Sequence, residues 1–357
     1  MTALLTLPGM LDPHTHLRDL DWAHKATFAT ETAAALAGGY WAVFDMPNTP
    51  PTTTTPEALA LKRARMAQVA HCDWGLYYGA SQQENWPTYP AVRGVCGLKI
   101  YNNETTGDLL IEDQAQRAQH YAHWSGRIAV HAEGETVREI LDLVRRYRRP
   151  THFVHICRAE EIAWLRQAKQ DGLPVTVGVT PHHLYLTQAD LARLGPFGLM
   201  KPELQTQRDV DALWDALKGG YIDCIESDHA PHTQDEKKHA TAPYGVPGLE
   251  TTLPLMGLAV HEGRLTVEQF GELLTRGPQR IFGITPPSET YTRVDLSASY
   301  VIQNENLRTA PGWSPFAGMR VYGAVREVWI RGQLVYDGEQ VLSPPGFGQN
   351  LFAETDA

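Results

Sequence analysis

Eight short apolar runs punctuate this chain, and most are followed by an amphipathic stretch. The runs are Leu7–Asp12, Tyr40–Met46, Asp73–Gly79, Val95–Tyr101, Arg127–His131, Thr151–His155, Val175–Val179 and Ile222–Ser227. Between them lie FATETAAALAG, PEALALKRARMAQVA, DQAQRAQHYAHW, ETVREILDLVRRY, EEIAWLRQAKQ, and QADLARL with DVDALWDAL after it. Gly38-Gly39 closes the first helical stretch, as glycine does at helix ends. Strands that alternate with helices imply parallel βαβ units, since parallel neighbours need a crossover between them. Eight such units predict an α/β fold, a (β/α)8 barrel of the TIM type, and a chain of 357 residues accommodates one as a single unit.

Two more helical runs follow, LPLMGLAVHEG and VEQFGELLTRG. After about residue 285 the pattern becomes YTRVDLSASYVI and VYGAVREVWIRGQLVYDGEQVL, broken by Gly and Pro, which predicts short antiparallel strands. The expected organisation is a barrel over residues 7–285 and a small β-rich appendage over 286–345 with a C-terminal extension, GFGQNLFAETDA, as an extended arm.

Lys+Arg number 31 and Asp+Glu 41, a net charge of -10, which argues against a polyanionic nucleic acid or an anionic membrane as partner. No apolar run approaches the roughly 20 residues of a spanning helix. The opening MTALLTLPGML has no basic region or small-residue cleavage site, so a cytoplasmic location is expected. Cys72, Cys96, Cys157 and Cys224 are far apart, form no CxxC pair, and predict buried thiols.

In a barrel, chemistry sits at the C-terminal strand ends. The first run ends in Asp12-Pro13-His14-Thr15-His16, whose alternate residues aim two imidazoles the same way. Lys99 lies inside the apolar GLKIY, and the fifth, sixth and eighth runs end in or beside His131, His155 and Asp228. Each has an ordinary reading: surface histidines, a snorkelling lysine, satisfied core histidines, a capping aspartate. Five strands aiming such groups at one face is a metal-binding constellation, since imidazole and carboxylate suit zinc and similar divalent ions. A buried lysine is costly unless neutral; neutral, it can add carbon dioxide, and the carbamate formed can bridge two metals. Such a pair shares a hydroxide and polarises a carbonyl.

LPGMLDPHTHLRD resembles the PGxxDxHxHxR signature of the cyclic amidohydrolases. FDMPNT, GLKIYNNET, VHAE, FVHICRAEEI, TPHHLYLT, SDHAPHT and GVPGLETTLPL extend the similarity from about residue 7 to about 348. Together they resemble dihydroorotase, most closely the dihydroorotase domain of the animal multifunctional pyrimidine-synthesis protein. The resemblance implies an amidohydrolase-type barrel that interconverts N-carbamoyl-L-aspartate and L-dihydroorotate. It implies two divalent ions, zinc for preference, with His14, His16 and Asp228 on the more buried one, His131 and His155 on the second, and Lys99, carboxylated by carbon dioxide, between them. It also implies that Arg18, Asn48 and His232 hold the substrate carboxylate and that Asp228 is the general acid/base. Residues 102–110 are implied to close over substrate, with Thr105 touching it. His183 is open between a supporting and a direct role. A homodimer and association with aspartate transcarbamoylase are the partners implied.

Four departures bear on this. Asp19-Leu20-Asp21-Trp22 stands where the family has Pro-Gly-Gly. Lys201, expected beside the substrate, replaces an arginine and loses its bidentate fork. Thr106 replaces a phenylalanine. Val154 and Gly178 replace a cysteine and a glutamate beside the metals, which speaks against a third metal there. The appendage is expected to be small, because the chain starts almost directly on its first strand. Alternatives are a hydantoinase or allantoinase with the same metal set, or an inactive scaffold for the transcarbamoylase. The retained ligand residues speak against the scaffold.

Overall fold

The computed structural model describes residues 4–353. Two sheets organise it. β1 (Leu5–Leu7) starts a four-stranded antiparallel sheet, and β2 (Met10–Thr15) starts an eight-stranded parallel one. The parallel sheet continues through β3 (Tyr40–Asp45), β4 (Asp73–Gly79), β5 (Gly97–Tyr101), β6 (Ile128–His131), β7 (Thr151–Phe153), β8 (Val175–Val179) and β9 (Cys224–Ile225), in that spatial order. Apart from Thr176, every residue of these strands is buried. Burial on both faces is why their sequences are nearly unbroken apolar runs.

The ring closes beyond β9. Thr15 bridges His229 in parallel, and the His16 N–H donates to the His229 carbonyl at 2.7 Å. The Asp12 carboxylate sits inside this seam. It accepts from the main-chain N–H of His14 at 3.1 Å and of Ser227 at 3.2 Å. The motif that carries the two histidines therefore also joins the first barrel strand to the last.

The first predicted strand, Leu7–Asp12, proves to be two. Leu5–Leu7 pairs with β10 (Tyr291–Val301), Gly9 turns the chain with φ of 56°, and only then does barrel strand β2 begin. β10 pairs with β11 (Arg320–Ile330), which pairs with β12 (Gln333–Tyr336), all antiparallel. The start of the chain thus adds an edge strand to the appendage sheet. A run that is apolar throughout hides a break between two sheets, because periodicity does not report a change of partner.

Long helices fall where the amphipathic runs lie. Phe28–Ala37 is capped by the Thr27 side chain and ends at Gly38, with Gly39 in the left-handed region. Three short helices, Pro181–Tyr185, Gln234–Lys238 and Gly277–Phe282, went unpredicted because five or six residues show no helical period. The tail docks rather than swings free. The Trp74 N–H donates to the Gln349 carbonyl, the Leu351 N–H to the Trp74 carbonyl, both at 2.9 Å, and Phe352 meets Phe44 edge-on at 5.2 Å. The last four residues of the predicted arm, and residues 1–3, lie outside the described residues.

Candidate metal centre

The strand ends bring the predicted ligands together. His14 Nε2 lies 3.2 Å and His16 Nε2 3.3 Å from the same Asp228 oxygen, Oδ1. These three side chains form one buried group able to hold a cation. Beside them His131 Nδ1 faces His155 Nε2 at 2.9 Å, and the His14 and His155 rings are 5.1 Å apart. Lys99 Nζ enters from β5, 5.0 Å from the Tyr101 ring centre. His155 and Asp228 take left-handed backbones, φ of 40° and 45°. Such strain persists where the surrounding structure over-determines it, as at functional sites.

Electrostatics prepare the nitrogens for metal. Burial draws His14 down to about 4, helped by Lys99, and holds His16, His131 and His155 below the usual histidine value. The imidazoles are therefore neutral at pH 7, the state in which a ring nitrogen can ligate. His16 Nδ1 meets the Asn48 side-chain oxygen at 2.7 Å, which puts its proton on that side and leaves the Nε2 lone pair toward Asp228. Burial brings Lys99 down to about 7, against the pull of Glu226 and Asp228, so much of it is a free amine near neutrality. Lys99 Nζ and His155 Nδ1 are buried without hydrogen-bond partners. Orphaned polar atoms of this kind are rare and ask for an explanation, an ion among them. The donor set suits divalent cations.

One wall of the cleft is cationic. Arg18 is buried, with φ of 67°, and its Nε–H donates to the Pro231 carbonyl at 3.1 Å. Its NH1 has no partner, and NH2 faces His232 Nε2 at 3.1 Å. That nitrogen also stands 2.9 Å from the Tyr244 carbonyl, while Lys25 Nζ lies 3.1 Å from His232 Nδ1. Lys25 Nζ also pairs with Glu236 Oε1 at 3.0 Å. Arg18 NH1 is left buried with no acceptor, a charged donor suited to a carboxylate. Asn48, Thr105, Thr106, Lys201 and Tyr244 complete the lining.

Comparison with known proteins places this geometry in a family. The chain is 43% identical over 354 residues to the multifunctional protein CAD of Squalus acanthias and 38% identical over 352 to the multifunctional protein pyr1-3 of Dictyostelium discoideum. Each alignment takes in 98% of this chain and 16% of the relative, so the chain spans about a sixth of their length. It is 31% identical over 352 residues to the dihydroorotase of Pyrococcus furiosus, covering 95% of this chain and 83% of that protein. The chain belongs to the dihydroorotase family. No family model matches it. Among solved structures it resembles the L-hydantoinase of Arthrobacter aurescens, with a TM-score of 0.91 at 26% identity over 97% of this chain and 88% of that one. It shares its fold with the inactive dihydroorotase-like domain of the Chaetomium thermophilum CAD-like protein, with a TM-score of 0.78 at 24% identity over 97% of this chain and 99% of that one.

As a family member the chain has its own solutions at the departures. Arg18, Asp19 and Leu20 are all left-handed without a glycine among them. The Asp19 carboxylate supports the turn, accepting from the N–H of Leu20 at 2.7 Å and of Phe28 at 2.9 Å. Lys201 Nζ donates to Glu203 at 3.0 Å and lies 4.9 Å from the Tyr244 ring centre, at the mouth of the cleft. Thr106, not Thr105, makes the loop's polar contacts across the cleft. Its carbonyl accepts from Asn48 Nδ2 at 2.9 Å, and its hydroxyl donates to the Tyr244 carbonyl at 3.0 Å.

His183 is fully engaged in support. The Thr180 hydroxyl lies 2.7 Å from its Nδ1, and its Nε2 meets the Pro202 carbonyl at 3.0 Å. Sequence reasoning missed Tyr244, which carries no local signal, and Glu133, 3.0 Å from His131 Nε2, whose one hint is its place two residues after His131 in VHAE. It also missed Glu226. The one hint there was a carboxylate in the apolar IDCIES, two residues before Asp228, which a period of two aims at the same interior.

Proposed function

We propose that this chain is a dihydroorotase that interconverts N-carbamoyl-L-aspartate and L-dihydroorotate in pyrimidine synthesis. The observation that carries the proposal is the unaccepted NH1 of the Arg18 guanidinium on the wall of a cleft lined by His14, His16, His131, His155 and Asp228, with Lys99 buried beside them. When bound, two divalent ions, zinc for preference, supply a nucleophilic water at neutral pH and a Lewis acid for the ring carbonyl. The protein does the rest. His14, His16 and Asp228 would hold one ion and His131 and His155 the other, with carboxylated Lys99 shared. Arg18 and Asn48 orient the substrate carboxylate, and His232 keeps Arg18 in place. Asp228 takes a proton in the hydrolytic direction and passes it to the leaving nitrogen; cyclisation runs the same transfer backwards. Thr105 and Lys201 border the bound substrate, and the 102–110 segment excludes water above it.

The hydantoinase reading has the Arthrobacter aurescens likeness behind it. Hydantoin and allantoin carry no carboxylate, so neither would engage the Arg18 guanidinium. Assay of the metal-replete protein with dihydroorotate, hydantoin and allantoin tests the proposal: turnover of dihydroorotate alone is expected, and turnover of hydantoin alone would overturn it. No helix of the described residues is long and apolar enough to cross a membrane. A cytoplasmic location, a homodimer and association with an aspartate transcarbamoylase belong to the same proposal. Light scattering of the protein alone and mixed with that enzyme tests the last two.

A further inference from the structure

Glu226 lies among the groups under the metal cluster. Its carboxylate is fully buried, and among the described residues its ion-pair contacts are with histidines alone. It accepts from the main-chain N–H of His155. Its Oε2 is 3.3 Å from His152 Nε2, and its Oε1 is the carboxylate oxygen facing His14 Nδ1, at 3.6 Å, a nitrogen with no hydrogen-bond partner of its own. The space Glu226 fills exists because position 178 is glycine: a Cβ there would lie 2.6 Å from the Glu226 carboxyl carbon. An acid reaching in from β9 thus occupies the volume that a β8 side chain would otherwise claim.

We infer that Glu226 is a positioning residue for the metal centre, seated in the gap at Gly178, where it sets the tautomer of His14 and holds the backbone of His155. Resting on the binuclear reading above, this assigns the His14 proton to Nδ1, toward Glu226. The Nε2 lone pair is then directed to the point shared with His16 and Asp228. The His155 N–H is fixed by the same carboxylate while that residue holds its left-handed φ. The charge is also suited. Two divalent cations bring four positive charges, Asp228 and a carboxylated Lys99 return two, and Glu226 adds a third negative charge without taking a coordination position. Partners of ligating histidines commonly matter about 10–100-fold in metal affinity.

The test compares four forms of the chain: wild type, Glu226→Gln, Cys224→Ser, and the double variant Gly178→Glu/Glu226→Ala, which moves the acid from the end of β9 to β8. The readouts are bound metal per chain, Co2+ affinity by chelator competition, and the visible spectrum of the Co2+ form. Two metals are expected in wild type. Glu226→Gln, with circular dichroism unchanged, should bind Co2+ about 10–100-fold more weakly with a shifted spectrum. The double variant should recover most of both. Wild-type affinity and spectrum in Glu226→Gln would overturn the inference. So would a third wild-type metal that both Glu226→Gln and Cys224→Ser remove, since Glu226 would then be a ligand with His152 and Cys224. If Glu226→Gln does not fold, the double variant decides: folded with tight Co2+ supports the inference, and folded with weak Co2+ overturns it. Wild type that binds no metal would overturn the proposed function itself, and this inference with it.

Discussion

The side-chain amide of Asn48 donates to the main-chain carbonyl of Thr106 at 2.9 Å, while its oxygen meets His16 at 2.7 Å. One amide therefore ties the segment over the cleft to a histidine of the metal cluster. A substrate carboxylate that engages Asn48 must share or replace the Thr106 contact, so loop position and substrate binding are coupled through this group.

Thr106→Val removes the hydroxyl that donates to Tyr244 and leaves the main chain intact. The loss of one hydrogen bond of about 1 kcal/mol should loosen the segment about fivefold. Hydrogen exchange across residues 104–108 should speed up and KM should rise, with bound metal unchanged. Exchange as slow as in wild type would refute the latch.

Arg18→Met removes the guanidinium with its unaccepted NH1. Charge-assisted hydrogen bonds are worth roughly 1.5–3 kcal/mol each, so kcat/KM for dihydroorotate should fall by about 10²-fold or more. Metal content should hold. A variant with wild-type kcat/KM would remove Arg18 from substrate recognition.

Lys99 gives a pH dependence with a definite sign. Its folded-state value, lowered to about 7 by burial, means that the amine gains its proton as pH falls through 7. The neutral form, which adds carbon dioxide, declines about tenfold per unit below that. Activation of metal-stripped protein by metal and bicarbonate should therefore accelerate with pH up to about 7 and level off above it. A rate independent of pH, or full activity of Lys99→Ala with unchanged metal, would exclude carboxylation.

Asp228→Asn keeps an oxygen toward the cluster but cannot carry a proton. Both directions of the reaction should slow by about 10²-fold or more. In wild type, hydrolysis should increase with pH and cyclisation should increase as pH falls, since they need opposite protonation states of one carboxyl. His183 is no substitute shuttle, because both its nitrogens are engaged. Near-normal rates in Asp228→Asn with both metals retained would make Asp228 a ligand only.

Stability has its own test at Lys62. Its Nζ lies 2.6 Å from Asp45 Oδ2 and 2.8 Å from the Met46 carbonyl, all buried. Asp45 Oδ1 accepts from the Leu17 N–H at 2.6 Å, just after His16. Lys62→Met strands a buried carboxylate and should cost about 3–5 kcal/mol in urea unfolding. A loss under about 1 kcal/mol would show that Asp45 is readily neutralised.

The barrel was legible because its strands are buried on both faces and read as apolar runs, and because its helices repeat over whole turns. The histidines, Lys99 and Asp228 were legible for the same reason: each interrupts or ends such a run, and in a barrel the run's end is the site. Those signals live within a few consecutive residues. What tertiary structure alone decided lies between segments far apart in sequence. The split of Leu7–Asp12 depends on β10 taking up Leu5–Leu7. The engagement of His183 depends on the Pro202 carbonyl. Glu226 owes its place to a missing side chain on another strand. The left-handed turns at Arg18, His155 and Asp228 have no local signature, since none is glycine and each is held by contacts made across the ring. Periodicity encodes which face of a segment is buried; which group meets which is settled only when the strands close.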